Sequence, residues 1–237
     1  PIIFDSGYEK IQADSISSMT KRAVKTNVHL GSPYSSRGKD QQGDPVRFVG
    51  SVGCRAMHGT EHGFVTAAHC LPKMGLSVCI GETDTNLGKV TSVKLNASSD
   101  AAFVAVDYDK YYPTNTTYRT KTALYDKILK NSSLVGYEVS TEGQKTANVV
   151  KAKVTEINKK VHVQKWTPAG QADFYANNMV YATFTSSQTQ EGDSGGIVYV
   201  NGYVAGIHSA RLGNTTQIFS SAELVLKDLG LTNIWEK

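Results

Sequence analysis

Residues 189–197 read Thr-Gln-Glu-Gly-Asp-Ser-Gly-Gly-Ile, and the core of that stretch, Gly192-Asp193-Ser194-Gly195-Gly196, decides the fold. A serine set so densely among glycines sits on a tight turn. Gly192 lets the backbone aim two N–H groups, its own and that of Ser194, at one point. Such a pair is suited to the negative oxygen of a tetrahedral intermediate. A serine hydroxyl is a weak nucleophile until a base takes its proton. Phe64-Val65-Thr66-Ala67-Ala68-His69-Cys70 supplies that base in His69. Ser99-Asp100-Ala101-Ala102-Phe103-Val104-Ala105-Val106 supplies an acid, Asp100, at the head of an apolar run. Asp107 closes the same run and is a rival for that role.

The chain order is histidine, aspartate, serine, one of three unrelated orders in which this constellation is built. With both flanking motifs in place, the chain resembles the chymotrypsin-like serine endopeptidases from about Val46 to its C-terminal end. The resemblance implies an all-β fold, a chymotrypsin-like double β-barrel with a C-terminal helix and the active site between the barrels. It divides the chain into an N-terminal extension at 1–45, a first β-barrel at 46–110, an inter-barrel linker at 111–124, a second β-barrel at 125–219 and a helix at 220–230. It also implies an activity. Ser194 attacks the scissile carbonyl, His69 moves the proton, Asp100 orients His69, and the N–H groups of Gly192 and Ser194 hold the oxyanion. No cofactor is needed. The partner is a protein or peptide substrate, and the enzyme is expected to be a secreted, extracellular monomer. The rival from another class is a catalytically silent homologue that uses the cleft to bind a peptide.

The specificity reading centres on His208, fourteen residues after Ser194 in Gly206-Ile207-His208-Ser209-Ala210-Arg211. In the family this strand walls the primary pocket. Ser209 matches a serine that supports the aspartate, and Ser209 to Arg211 pair with the substrate backbone. Most relatives place an apolar residue where His208 stands. Histidine marks the microbial glutamyl endopeptidases, which cleave after glutamate, and certain viral proteases, which cleave after glutamine. Thr189 stands on the opposite wall, and Arg211 offers a positive charge at the rim. Imidazole and hydroxyl can both donate to a substrate carboxylate or amide. The expectation is cleavage after Glu, with Gln as the alternative. Glu191 at the cleft edge works against acidic neighbours.

The rest of the chain is less informative. Its 237 residues are 40% hydrophobic, enough to pack a core, and its net charge is +4. Lys151, Lys153, Lys159, Lys160 and Lys165 read as a solvated strand face rather than a nucleic-acid footprint. No stretch is long and apolar enough to cross a membrane as a helix. Val46–Val52 and Val161–Gln164 alternate in part, as strands do. Tyr34 to Pro45 reads as a loop by composition. Ser220-Ser221-Ala222-Glu223 fits a capping box, with Leu224, Val225 and Leu229 as the apolar face and Gly230 as the stop. His58 and His62 read as an exposed hairpin loop, with no metal site.

The family resemblance pairs Cys54 with Cys70 in a disulfide beside His69 and leaves Cys79 free, which implies an oxidising compartment. Four sequons, at Asn96, Asn115, Asn131 and Asn214, make a glycoprotein an expectation. The resemblance also suggests a zymogen. Yet Pro1-Ile2-Ile3-Phe4 does not match the family's inserting N-terminus, and Val135–Gly143 lacks the arginine of bacterial relatives. The partner of Asp193 is therefore open.

Overall fold

A computed structural model describes residues 24–232. The N-terminal half carries β1 (Thr26–Leu30), β2 (Pro33–Lys39), β3 (Pro45–Ser51), β4 (Arg55–His58), β5 (Glu61–Thr66), β6 (Ser77–Ile80), β7 (Asn86–Val93), β8 (Ala102–Val106) and β9 (Tyr111–Thr117). The C-terminal half carries β10 (Glu138–Glu142), β11 (Val150–Thr167), β12 (Gly170–Phe184), β13 (Ile197–Val200), β14 (Tyr203–Leu212), β15 (Thr216–Ser221) and the helix α1 (Ala222–Leu229). Seven strands pair antiparallel in the order β3-β2-β6-β7-β8-β5-β4, and six close a barrel in the order β10-β11-β12-β15-β14-β13. β1 and β9 form a separate parallel pair. The fold is the mostly β, chymotrypsin-like one, with a single α-helix, near the C-terminal end, among the described residues.

Of four hydrophobic clusters among the described residues, three make most of this frame. Tyr34, Phe64, Leu71, Leu87 and Val104 pack the first sheet. Leu134, Val139, Val154, Val180 and Phe219 pack the barrel. A third cluster joins the halves: Leu30, Val65 and Phe103 from one meet Ile197, Ile207 and Val225 from the other. Burial of such side chains is the main stabilising term, about 25 cal/mol for each Å² removed from water.

The boundaries at the N-terminal side need correction. Residues 1–23 lie outside the described residues, but the rest of the expected extension belongs to the body. Of the loop expected from Tyr34 to Pro45 only residues 40–44 form a turn, because Pro33–Lys39 is a strand that pairs with both β3 and β6. Composition misled because its serines are satisfied inside. Ser36 Oγ donates to Ser77 O at 2.8 Å, and Ser35 Oγ accepts from Arg47. The expected linker is likewise shorter, since its first seven residues are β9.

The helix begins at Ala222, with Ser221 as its N-cap and no side-chain cap bond. The capping box does not form because both its members are used elsewhere. Ser220 Oγ accepts the N–H of Asp100 at 2.9 Å, and Glu223 Oε2 accepts that of Asn131 at 2.7 Å. Gly230 ends the helix in the left-handed conformation at φ 66°.

The Cys54–Cys70 pairing is also corrected, because all three cysteines are free thiols. The two side chains belong to different cores. Cys54 sits with Leu30 and Phe103 at the junction of the halves, and Cys70 sits with Tyr34 and Phe64 inside the first sheet.

Candidate active site

His69 follows β5 and Asp100 precedes β8, and these strands are hydrogen-bonded neighbours. That pairing brings residues 31 apart in sequence into contact. His69 Nδ1 lies 2.6 Å from Asp100 Oδ2, and the His69 N–H donates to Asp100 Oδ1 at 2.9 Å. Ser209 Oγ adds a third bond, to Asp100 Oδ2, and Ser220 Oγ receives the Asp100 N–H. Asp100 is fully buried. Burial works against its charge, but His69 and Ser209 outweigh that and hold the carboxyl below its usual range. For His69, burial opposes the imidazolium while Cys70 and Asp100 favour it, and its pKa is raised above the ordinary value. Asp107, the rival acid, pairs with Lys110 at 2.7 Å near the surface and takes no part.

Ser194 sits on the loop before β13 and shares a cavity with His69. Its hydroxyl donates to the Ser209 carbonyl at 3.1 Å, so it must rotate to reach the imidazole. The loop is pinned from the other half. Ser51 N–H donates to Ser194 O at 2.9 Å, and Ser51 Oγ donates to Gly192 O at 2.8 Å. Gly192 has φ 99° and Gly195 φ 88°, conformations that a residue with a Cβ strongly resists. The N–H groups of Asp193, Gly195 and Gly196 are all given to carbonyls. Those of Gly192 and Ser194 meet no acceptor among the described residues.

Asp193 has its partner in a segment that carried no sequence signal. Its Oδ1 accepts the N–H groups of Lys145 (2.8 Å) and Thr146 (3.0 Å), while Oδ2 accepts the Thr146 hydroxyl and the Gln190 N–H. Backbone amides and a hydroxyl stand in for a cation. Arg119 fixes the segment by donating to Gly143 O and Gln144 O. Buried Glu142 is held by Thr120 and Tyr199. Amide donors carry no side-chain signature, so no residue type marks them in the sequence.

His208 and Thr189 line one cavity of about 320 Å³, with Ser194, Ser209, Arg211 and Val161–Lys165 of β11. His208 is 2% exposed, and burial lowers its pKa to about 4. Behind it, fully buried Gln217 gives Nε2 to Thr141 Oγ1 at 2.7 Å and approaches His208 Nδ1 at 3.3 Å. If Gln217 donates to Nδ1, the imidazole proton resides on Nε2, and His208 is a neutral donor. Thr189 Oγ1 is buried with no partner among the described residues. Arg211 is only at the rim, its Nη1 bonded to Gln188, Gly213 and Asn214. Gln217 and Thr141 were not legible in the sequence, since only the register of β14 against β15 and of β10 against β13 brings them behind His208.

With the geometry in place, comparison with known proteins adds the family. The model of the family described as Trypsin matches residues 32–221. Among solved structures, Thermobifida fusca protease A gives a TM-score of 0.64 at 19% identity, covering 87% of this chain and 98% of that one. Cellulomonas bogoriensis chymotrypsin gives 0.62 at 22% identity, covering 88% and 98%. A glutamic acid-specific serine protease, described as using a histidine triad in substrate binding, gives 0.63 at 22% identity, covering 86% and 99%. At such identities the likeness is one of fold. No characterised protein matches by sequence comparison.

Proposed function

The chain belongs to the trypsin family and is a chymotrypsin-like serine endopeptidase, and from that premise we propose that it cleaves after glutamate through an acyl-enzyme on Ser194. The observation that carries the catalytic part is the buried Asp100–His69 pair, 2.6 Å apart, beside a cavity shared with Ser194. In this reading the Ser194 hydroxyl turns from Ser209 O to His69, which takes its proton as Oγ attacks the scissile carbonyl. The resulting imidazolium faces a carboxylate already held by the Ser209 hydroxyl and the His69 N–H and needing no rearrangement. The N–H groups of Gly192 and Ser194 receive the oxyanion. His69 then delivers the proton to the leaving amine, and water repeats the sequence on the acyl-enzyme.

The preference for glutamate is supported by the pocket. A carboxylate entering it meets two neutral donors, Nε2–H of His208 and the unpartnered Thr189 hydroxyl. Hydrogen bonds to an ionised group are about twice as strong as neutral ones and offset part of the desolvation cost. Lys165 and Arg211 in the lining supply the matching charge, against Glu191. The related glutamic acid-specific protease is described as using three histidines. Here a Gln217–Thr141 pair backs a single one.

Cleavage of a mixed peptide library tests both parts. Products should end in Glu, with Asp or Gln less frequent, and Ser194→Ala should lower kcat roughly 10⁴-fold. Products ending in Phe, Leu, Lys or Arg would leave the protease and remove the glutamate reading. We also propose that the enzyme acts outside the cell as a monomer, since its whole site comes from one chain. Of its sequons, Asn96 and Asn214 are exposed, whereas the Asn115 and Asn131 amides donate to Leu124 O and Asn158 Oδ1.

A further inference from the structure

The hairpin of β11 and β12 is far longer than the barrel requires. Its pairing slips at Val154/Glu156, Glu156/Lys159 and Lys159/Val161, around Asn158 in the left-handed conformation at φ 59°. Beyond that kink the arm, residues 161–176, leaves the barrel that its chain belongs to. Ala172 and Phe174 are buried in the core of the first sheet, with Val163 packed against it. Asn177 and Asn178 donate their N–H groups to Ala97 O and Ser98 O, both at 2.9 Å. At the tip, Trp166 Nε1 donates to Lys39 O at 2.7 Å, and Pro168 lies so close to Gly38 that a Cβ there would come within 2.5 Å of its Cα.

The arm therefore passes from one half to the other across the active site. On one side of it lies the His208 cavity of about 320 Å³. On the other lies a cavity of about 590 Å³ lined by Tyr34, Phe48, Lys145, Trp166 and Gly192. His69, Lys165 and Glu191 line both. Lys165 Nζ, on the arm, stands 4.0 Å from Glu191 Oε1, on the serine loop, so an ion pair joins the arm to that loop between the two cavities. His69 is 4% and Ser194 9% exposed beneath it.

We infer that this arm is a strap, latched by Lys165 and Glu191, that restricts the enzyme to extended, linear polypeptide. The inference rests on the protease reading but not on the residue preferred before the scissile bond. A substrate on Ser209–Arg211 continues past His69 into the larger cavity, and so runs under the strap. A linear chain can thread from its end. A closed loop has no end and must wait for the latch to part and the arm to lift from the first half. The ion pair, between a partly exposed lysine and a largely exposed glutamate, adds a modest hold to that of the buried Ala172 and Phe174.

The test compares a linear peptide, carrying whichever cleavage sequence the library selects, with the same sequence closed head-to-tail through a long glycine–serine linker. Such a linker is flexible and leaves the cleavage segment free to extend. Cleavage of the linear form tests the protease reading, and the ratio of the two kcat/KM values tests the strap. The ratio should favour the linear form by about tenfold or more in the parent. Lys165→Glu places like charges at the latch and should reduce the ratio by about threefold or more, in line with the modest worth of an exposed pair. The double exchange Lys165→Glu with Glu191→Lys should restore it. Replacing residues 161–176 by a short turn should bring the ratio near one. Equal rates on both peptides in the parent would overturn the inference, as would a ratio that Lys165→Glu leaves unchanged.

Discussion

Gln217 has two hydrogen-bonding duties in the buried pocket wall: it satisfies Thr141 and sets the tautomer of His208. Gln217→Leu keeps the volume and removes both. The orphaned buried atoms should cost about 1–3 kcal/mol of stability. The larger change should be in specificity, with kcat/KM for a Glu substrate falling about tenfold more than for an apolar one. Equal losses on both would make Gln217 merely structural. Cysteine gives a second residue-scale test. Cys54 is buried and its pKa is pushed up to about 12, whereas that of Cys70, beside His69, is lowered. Thiol counting under denaturing, non-reducing conditions should find three per chain, and a count of one would restore the disulfide. At this scale the sequence marked His69, Asp100 and Ser194 by their flanking motifs, and the structure brings them to one place. It could not mark Gln217, Thr141 or the amides that receive Asp193, because ordinary residues acquire those duties only through strand register.

Element ends carry more of the site than element interiors. Ser220 is the last residue but one of β15, and its hydroxyl receives the N–H of Asp100 instead of capping the helix. Ser220→Ala should therefore act on Asp100 rather than on α1. It leaves one buried donor unpaired, worth about 1–3 kcal/mol, so the melting temperature should fall by several degrees. Far-ultraviolet circular dichroism at low temperature should keep the helical signal. A selective loss of that signal would show that the cap reading was right after all. The strap illustrates a different limit of sequence reading. Alternation in Val161–Gln164 identifies a strand, but a period of two says only that one face is covered. Val163, Ala172 and Phe174 would look the same packed on their own barrel as on the opposite half. The N-terminal strand β2 was hidden for the converse reason, since Ser35 and Ser36 are buried polar residues whose partners are distant in sequence.

At the scale of the whole molecule, the buried ionisable groups tie stability to pH. His208 has a folded pKa of about 4 against an ordinary value of 6.5, so between those values the unfolded chain binds a proton that the folded one refuses. Stability from this group is therefore complete above about pH 6.5 and is lost as pH falls toward 4, by about 3 kcal/mol at 1.36 kcal/mol per pH unit. Asp100 acts with the same sign, because its depressed pKa contributes stability that is lost as pH falls through its folded value. His69 has the opposite sign: its raised pKa contributes stability that is present in acid and lost as pH rises through the folded value. Two of the three groups thus favour neutral over acid conditions. Thermal melts at pH 7, 5.5 and 4 should show the parent losing stability steeply over that range. His208→Val should show a shallower slope, because the group that refuses the proton is gone, even though its melting temperature at pH 7 is also lower. The same burial keeps His208 neutral during turnover, so it adds no titration near pH 6.5 to the activity profile of the free enzyme. Parallel slopes in parent and variant would mean that His208 takes up its proton in the folded protein, and its role as a neutral donor to glutamate would fall with that result.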